Sequence, residues 1–382
     1  MQSSAFVILF IASMATSLGI SIILPILPVY AKDMGARGFM IGLVFSSFAV
    51  TKTIVSPFFG RWADRKGKKP FIVWGLLLFT LVALAFAWAQ NVYDLIAIRC
   101  FMGISNAMVV PIIGACIGGM ARQDNEAHYM SLFALSALMG MAMGPLLGGI
   151  VSDRFGINMA FYVMATATAV AFATTLFGLQ RNEDLSKKNN ILSRNPLKEL
   201  LAIPRIRGLM VFRFIDVLSV GGMLIFLPLL VKQQHISTSR IGILVSILIC
   251  YAGIMQLPFG RLCDRMGKHV TFIIFGGAIA ALALACLPLA RGFWGFLTVG
   301  LISASGGAIA GPAANALIVR SSRKIGLGFA VSSFDSVQAA AFIAGPLISG
   351  LIMDAFGLNT VFFLTAVIYL LGLGTFFYYS KK

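Results

Sequence analysis

The sequence predicts an all-α integral membrane protein with twelve transmembrane helices in two six-helix repeats, both termini cytoplasmic. Three observations carry this expectation. Of 382 residues, 59% are apolar and only 11% charged, whereas soluble domains carry about 25% charged residues. Apolar stretches long enough to cross a bilayer, about 20 residues each, follow one another almost without a gap. The second half of the chain also repeats the first at a nearly fixed offset.

Taken in order, the apolar segments run approximately 6–30, 39–60, 71–90, 93–118, 129–152, 157–179, 208–231, 239–260, 270–290, 292–318, 326–352 and 358–379. The first has no Lys or Arg before it and exceeds a signal-peptide core in length, so it is expected to be a retained helix. Orientation follows from where the basic residues fall. With the N-terminus inside, the cytoplasmic loops hold 21 of the 30 Lys and Arg, the outer loops and the segment ends beside them 6, and the remaining three, Lys52, Arg99 and Arg213, lie deeper within segments. The net charge of +17 therefore reflects topology and contact with anionic lipid headgroups, and no nucleic-acid partner is expected. The Lys-, Asn- and Ser-rich stretch 181–207 reads as a cytoplasmic linker between an N-terminal bundle, 1–180, and a C-terminal bundle, 208–382.

Several chemistries have nothing to stand on. Cys100, Cys116, Cys250, Cys263 and Cys286 show no metal-binding spacing and are expected to pack as small apolar groups. His128, His235 and His269 fall in loops or at segment ends. The Gly60 to Lys68 stretch lacks the spacing of a phosphate-binding loop. No metal, cofactor or enzymatic activity is expected.

A shift of 200 residues superposes Pro28 on Pro228, Ile41-Gly42 on Ile241-Gly242, Ser46 on Ser246, Phe59-Gly60-Arg61 on Phe259-Gly260-Arg261, Asp64-Arg65 on Asp264-Arg265 and Gly67-Lys68 on Gly267-Lys268. A shift of 201 superposes Gly144-Pro145-Leu146 on Gly345-Pro346-Leu347, Gly149 on Gly350, Asp153 on Asp354 and Phe155-Gly156 on Phe356-Gly357. Six segments separate the copies, an even number, so the halves share one topology and are related by an axis along the membrane normal.

Two six-helix halves, each with a charged turn after its second helix, resemble the major facilitator superfamily. The signature of that turn is met in full by Gly60, Asp64, Arg65, Gly67, Lys68 and Lys69; the second copy, Gly260, Asp264, Arg265, Gly267 and Lys268, departs only at His269. Two glycines allow a tight turn, and the carboxylate can cap a neighbouring helix while the arginine pairs nearby. In the superfamily the turn acts as a conformational latch. The fifth segment carries Gly140, Gly144, Pro145, Gly148 and Gly149, which looks like the antiporter motif of the twelve-span drug:proton exchangers. The same residues are also expected to work as small-residue packing with a proline kink. Arg99 with Gly103 is similar to that group's proton-transfer motif, with Met102 where glutamine is usual.

Charges inside a bilayer are costly, so each is a functional candidate. They are Lys52, Arg99, Arg213, Asp216 and Asp335. Asp216 and Asp335 are the candidate proton-coupling carboxylates; Arg99, Arg213 and Lys52 are candidate cavity residues. Arg213 and Asp216, three apart, can pair along one helix face. The resemblance places the fourth and seventh helices at the central pathway. It also implies a secondary transporter exporting small amphipathic compounds by alternating access, with protons as coupling ion, acting as a monomer in a bacterial inner membrane. An importer or uniporter of a small anionic metabolite, or a non-transporting sensor on the same fold, remains open at this point.

Overall fold

The structure is a computed structural model that describes residues 2–120, 125–179, 203–321 and 327–381. Most of the linker, 181–202, and the counted basic residues Arg122, Arg323, Lys324 and Lys382 lie outside the described residues. Among the described residues, twelve helices are long and apolar enough to cross a membrane. We label them α1 (Gln2–Ile22, resuming as Leu27–Asp33), α2 (Gly38–Lys66), α3 (Lys68–Ala85), α4 (Val92–Met120), α5 (Glu126–Phe155) and α6 (Ile157–Gly178) in the first repeat. The second repeat comprises α7 (Pro204–Lys232), α8 (Thr238–Met266), α9 (His269–Cys286), α10 (Gly292–Ser321), α11 (Leu327–Phe356) and α12 (Leu358–Lys381).

Several boundaries differ from the sequence expectation, α2 and α8 running on to Lys66 and Met266 and α3 and α9 ending at Ala85 and Cys286, and proline accounts for two of the differences. The first segment is not one helix: the chain turns at 23–26, where Pro25 offers no amide and its ring crowds the preceding turn, and Pro28 then occupies the opening turn of the resumed helix. The seventh helix starts at Pro204 instead of 208, because proline is well suited to a first turn. Elsewhere proline sits inside helices without ending them: Pro57 and Pro258, Pro111 and Pro312, Pro145 and Pro346 form three pairs, each 201 residues apart.

The helices form two compact units. One comprises Met1–Ala36, Leu43–Lys188 and Ser237–Ser246; the other comprises Arg37–Gly42, Asn189–Ile236 and Ile247–Lys382. Each unit thus takes the opening turns of one helix from the other repeat. Inside the first, α1 packs on α5 and α6, and α3 on α4 and α6; inside the second, α7 packs on α11 and α12, and α9 on α10 and α12. The same packing pattern in both units is the structural form of the repeat. Large apolar side chains such as Trp74, Trp88, Phe177, Phe275 and Trp294 are exposed on the outside, as contact with lipid requires. Cys250 and Cys286 belong to this exposed set instead of the packed interior.

Candidate functional site

The second unit holds a buried polar cluster on α7. Asp216 is 9% exposed and, among the described residues, is the one buried carboxylate. Its Oδ2 lies 3.6 Å from Arg213 Nη1, one helical turn away, and its Oδ1 accepts a hydrogen bond from the Tyr369 hydroxyl of α12 at 2.7 Å. Arg213 also donates through Nη2 to Gln338 Oε1 on α11, and its guanidinium lies 5.0 Å from the centroid of Phe334. Tyr369 is 1% exposed and is held edge-on by Phe212. A carboxylate, a guanidinium, a phenol and an amide therefore converge from three helices.

Spacing alone revealed the Arg213–Asp216 pair. It did not reveal Tyr369, Gln338 or Phe334, although each leaves a faint mark: Gln338 is the lone side-chain amide of α11, and Tyr369 interrupts an apolar run in α12. Asp335, the other candidate carboxylate, is exposed and adjoins Phe334. The positions that the repeat matches to Arg213 and Asp216 are Ser13 and Thr16 on α1. There Ser13 bonds Ser136 of α5 at 2.8 Å, and Thr16 donates back to Ala12 O at 2.7 Å.

The basic candidates of the first unit behave differently from one another. Arg99 is 4% exposed. Its Nε donates to the Val44 carbonyl at 3.2 Å, and its guanidinium lies 4.9 and 4.7 Å from the ring centroids of Phe45 and Phe48. Gly103 completes the same junction, since a Cβ there would stand 2.6 Å from the Phe48 carbonyl oxygen. Arg99 and Gly103 thus fasten α4 to α2. Lys52, half-buried, has its ammonium 5.9 Å from the Phe48 centroid.

The charged turns are built by Gly67 (φ 91°) and Gly267 (φ 66°), conformations that a side chain would strain. Gly60 is unlike them: it lies inside α2 and takes no positive φ, so the turn does not require a glycine there. The sequence assigned the capping to the carboxylate, whereas here a lysine meets a helix end. Lys68 Nζ donates to Ala115 O, more than a turn before the end of α4, at 3.2 Å, and Lys69 Nζ to Leu176 O in the last turn of α6 at 2.8 Å, placing positive charge where that helix dipole is negative. Asp64, Arg65 and Arg265 are exposed. In the second turn Asp264 pairs with Arg320 of α10 at 3.7 Å and lies 3.8 Å from His269 Nε2. His269, the residue that departs from the turn signature, is buried with Nδ1 3.0 Å from Gly267 O.

The glycines of α5 divide between two neighbours. Gly140, Gly144 and Gly148 face α1: a Cβ on Gly140 would lie 2.8 Å from Leu18 N, one on Gly144 2.8 Å from both Ile22 N and Leu18 O, and one on Gly148 2.5 Å from Ile22 O. Ser21 Oγ donates to Gly140 O across this contact at 3.0 Å. Gly149 points instead at α8, 2.7 Å from Thr238 O by the same measure. Pro145 lies on the α8 side too, with its carbonyl carbon 3.1 Å from a Cβ placed on Gly242. One sequence motif therefore serves two helix contacts.

The family pattern called Major Facilitator Superfamily matches residues 9–215 and again 209–382, once for each repeat. The chain belongs to the major facilitator superfamily. It is a transporter, not an enzyme, and a multi-pass integral membrane protein. Among its relatives, an uncharacterized MFS-type transporter of Methanocaldococcus jannaschii is 27% identical over 381 residues, covering 96% of this chain and 95% of that protein. The multidrug resistance protein MdtG of Klebsiella pneumoniae is 28% identical over 365 residues, covering 92% and 87%. Two solved structures share the fold. A bacterial homolog of the human lysosomal transporter Spinster, inward-facing and unoccupied, superposes with a TM-score of 0.86 at 14% identity over 100% of this chain and 97% of that one. The nucleoside transporter NupG superposes with a TM-score of 0.82 at 16% identity over 99% of both.

Proposed function

We propose that this transporter is a proton-coupled exporter of small amphipathic organic compounds, working by alternating access, with both termini cytoplasmic and Asp216 as the coupling carboxylate. The observation that carries the coupling role is the cluster in which half-buried Arg213 and buried Tyr369 meet buried Asp216. A coupling group must be protonated in one state and ionised in another, and Asp216 has a cation one turn away on its own helix and, on α12, a hydroxyl donor whose distance can change as helices move. Export is supported by relatives described as multidrug resistance proteins and by the glycine face of α5. The orientation rests on the basic-residue bias. A bacterial inner membrane, in line with the bacterial MdtG relatives, and a monomeric working unit belong to the same proposal. Away from their ends the spans carry three basic and two acidic side chains, so neutral, zwitterionic or anionic amphipaths are expected to be preferred over simple cations. Asp335 is the second candidate for coupling, and the turns at Asp64 and Asp264 are the proposed latch.

The test is transport in proteoliposomes under an imposed pH gradient, using fluorescent amphipaths of each charge type. Asp216→Asn should lose gradient-driven accumulation while keeping substrate binding. Wild-type pH dependence in that variant would refute the assignment and move the coupling role to Asp335. Robust transport of a permanent dication would overturn the charge preference.

A further inference from the structure

The opening turns of α2 and α8 make matching contacts, each inside one unit. In one unit α2 begins against the end of α11: Asp354 accepts hydrogen bonds from Gly38 N at 2.6 Å and Phe39 N at 2.8 Å. The backbones meet there, since a Cβ on Gly350 would stand 2.9 Å from Phe39 Cα and one on Gly42 3.1 Å from Leu347 Cα. In the other unit α8 begins against the end of α5. A Cβ on Gly242 would stand 3.0 Å from Gly149 Cα, and Asp153 accepts from Ser239 Oγ at 2.8 Å. The participants are repeat partners, Gly42 with Gly242, Gly149 with Gly350 and Asp153 with Asp354.

The two contacts are nevertheless chemically unequal, for a reason visible one residue before each helix. Ser237 precedes α8, and its Oγ accepts from Arg240 N at 3.4 Å, so α8 supplies part of its own cap. The matching residue before α2 is Arg37, whose side chain has no acceptor. Asp354 therefore takes two opening amides of α2 directly, with its negative charge at the positive end of the helix dipole. Asp153 meets a rotatable hydroxyl instead.

We propose that these contacts form a two-point clasp with a built-in order of release. The Asp153–Ser239 point yields first, and the Asp354 point holds α2 on α11 until last. The order rests on the alternating-access reading above, but its test requires no transport.

The measurement is hydrogen exchange by mass spectrometry on the full chain in lipid nanodiscs, comparing residues 38–42 with 238–242 after correction for intrinsic rates. In the wild type, 238–242 should exchange about tenfold faster, the factor expected from one additional hydrogen bond to a charged group. Asp354→Asn, which keeps the shape but not the charge, should bring 38–42 up to the rate of 238–242. Ser239→Ala should speed 238–242 and leave 38–42 unchanged. Equal protection of the two segments in the wild type, or unaltered exchange of 38–42 in Asp354→Asn, would overturn the proposal. Should either variant fail to fold, the wild-type ratio still decides. Absence of pH-driven transport would defeat the coupling reading and leave this ratio untouched.

Discussion

Tyr369→Phe removes one oxygen and leaves the ring, so it isolates a single interaction. The hydroxyl lost is 2.7 Å from Asp216 Oδ1, and the residues it joins are 1% and 9% exposed. Neutral hydrogen bonds between membrane helices average about 0.6 kcal/mol and reach about 1.7, whereas bonds to charged groups in proteins contribute about 1.5–3 kcal/mol. Arg213 at 3.6 Å compensates only partly for the lost donor, so the loss should fall near the overlap of those ranges, about 1.5–2 kcal/mol. That corresponds to roughly a 10- to 30-fold shift of the unfolding equilibrium. The assay is a double-mutant cycle of Tyr369→Phe and Asp216→Asn, with unfolding followed by titration with a denaturing detergent. A coupling energy above about 1 kcal/mol is expected for two residues in direct contact. A value below about 0.5 kcal/mol would mean that the bond does not tie α12 to α7, and the cluster would lose its third helix.

Gly144→Leu should abolish transport and lower stability by several kcal/mol, because its side chain would enter the backbone of α1 at Leu18 and Ile22; unchanged dye efflux in cells would remove the physical basis of the α5 motif. Asp64→Asn should impair transport with near-normal expression, and Asp264→Asn should be milder, since its ion pair with Arg320 is exposed and such pairs contribute about 0–1 kcal/mol; full activity in both variants would reduce the turns to topology signals. Arg99→Lys should destabilise the protein by about 1–2 kcal/mol by losing the planar stack on Phe45 and Phe48. Wild-type thermal stability in that variant would show that the Arg99 stack contributes nothing to holding α4 on α2.

Composition and periodicity were enough to give the class and the number of helices, because a bilayer demands long apolar segments with internally satisfied backbone and so leaves few alternatives. The repeat was equally legible, since identical turns and glycines recur at a constant offset. Position within a helix was also readable: Arg213 and Asp216 pair as their spacing requires. Direction around the helix was not. Arg99 read as a pathway residue, yet it lies between two phenylalanines of α2, because a guanidinium in an apolar setting seeks a carbonyl and ring faces wherever packing offers them. The glycines of α5 read as one motif, yet Gly144 and Gly149 touch different helices; five residues advance about 500° around a helix turning 100° per residue, which aims the second away from the first.

The sequence by itself determined a twofold-repeated, twelve-helix membrane protein with charged turns, since these properties are local or periodic in the chain. Only the tertiary structure decided that Tyr369 and Gln338 complete the Asp216 cluster, that a lysine and not a carboxylate meets a helix end near the first turn, and that Asp354 caps α2. Each of those joins residues tens to hundreds of positions apart. Such pairings depend on which faces of two helices meet, and apolar segments of this kind have no strong amphipathic stripe to announce the face in advance.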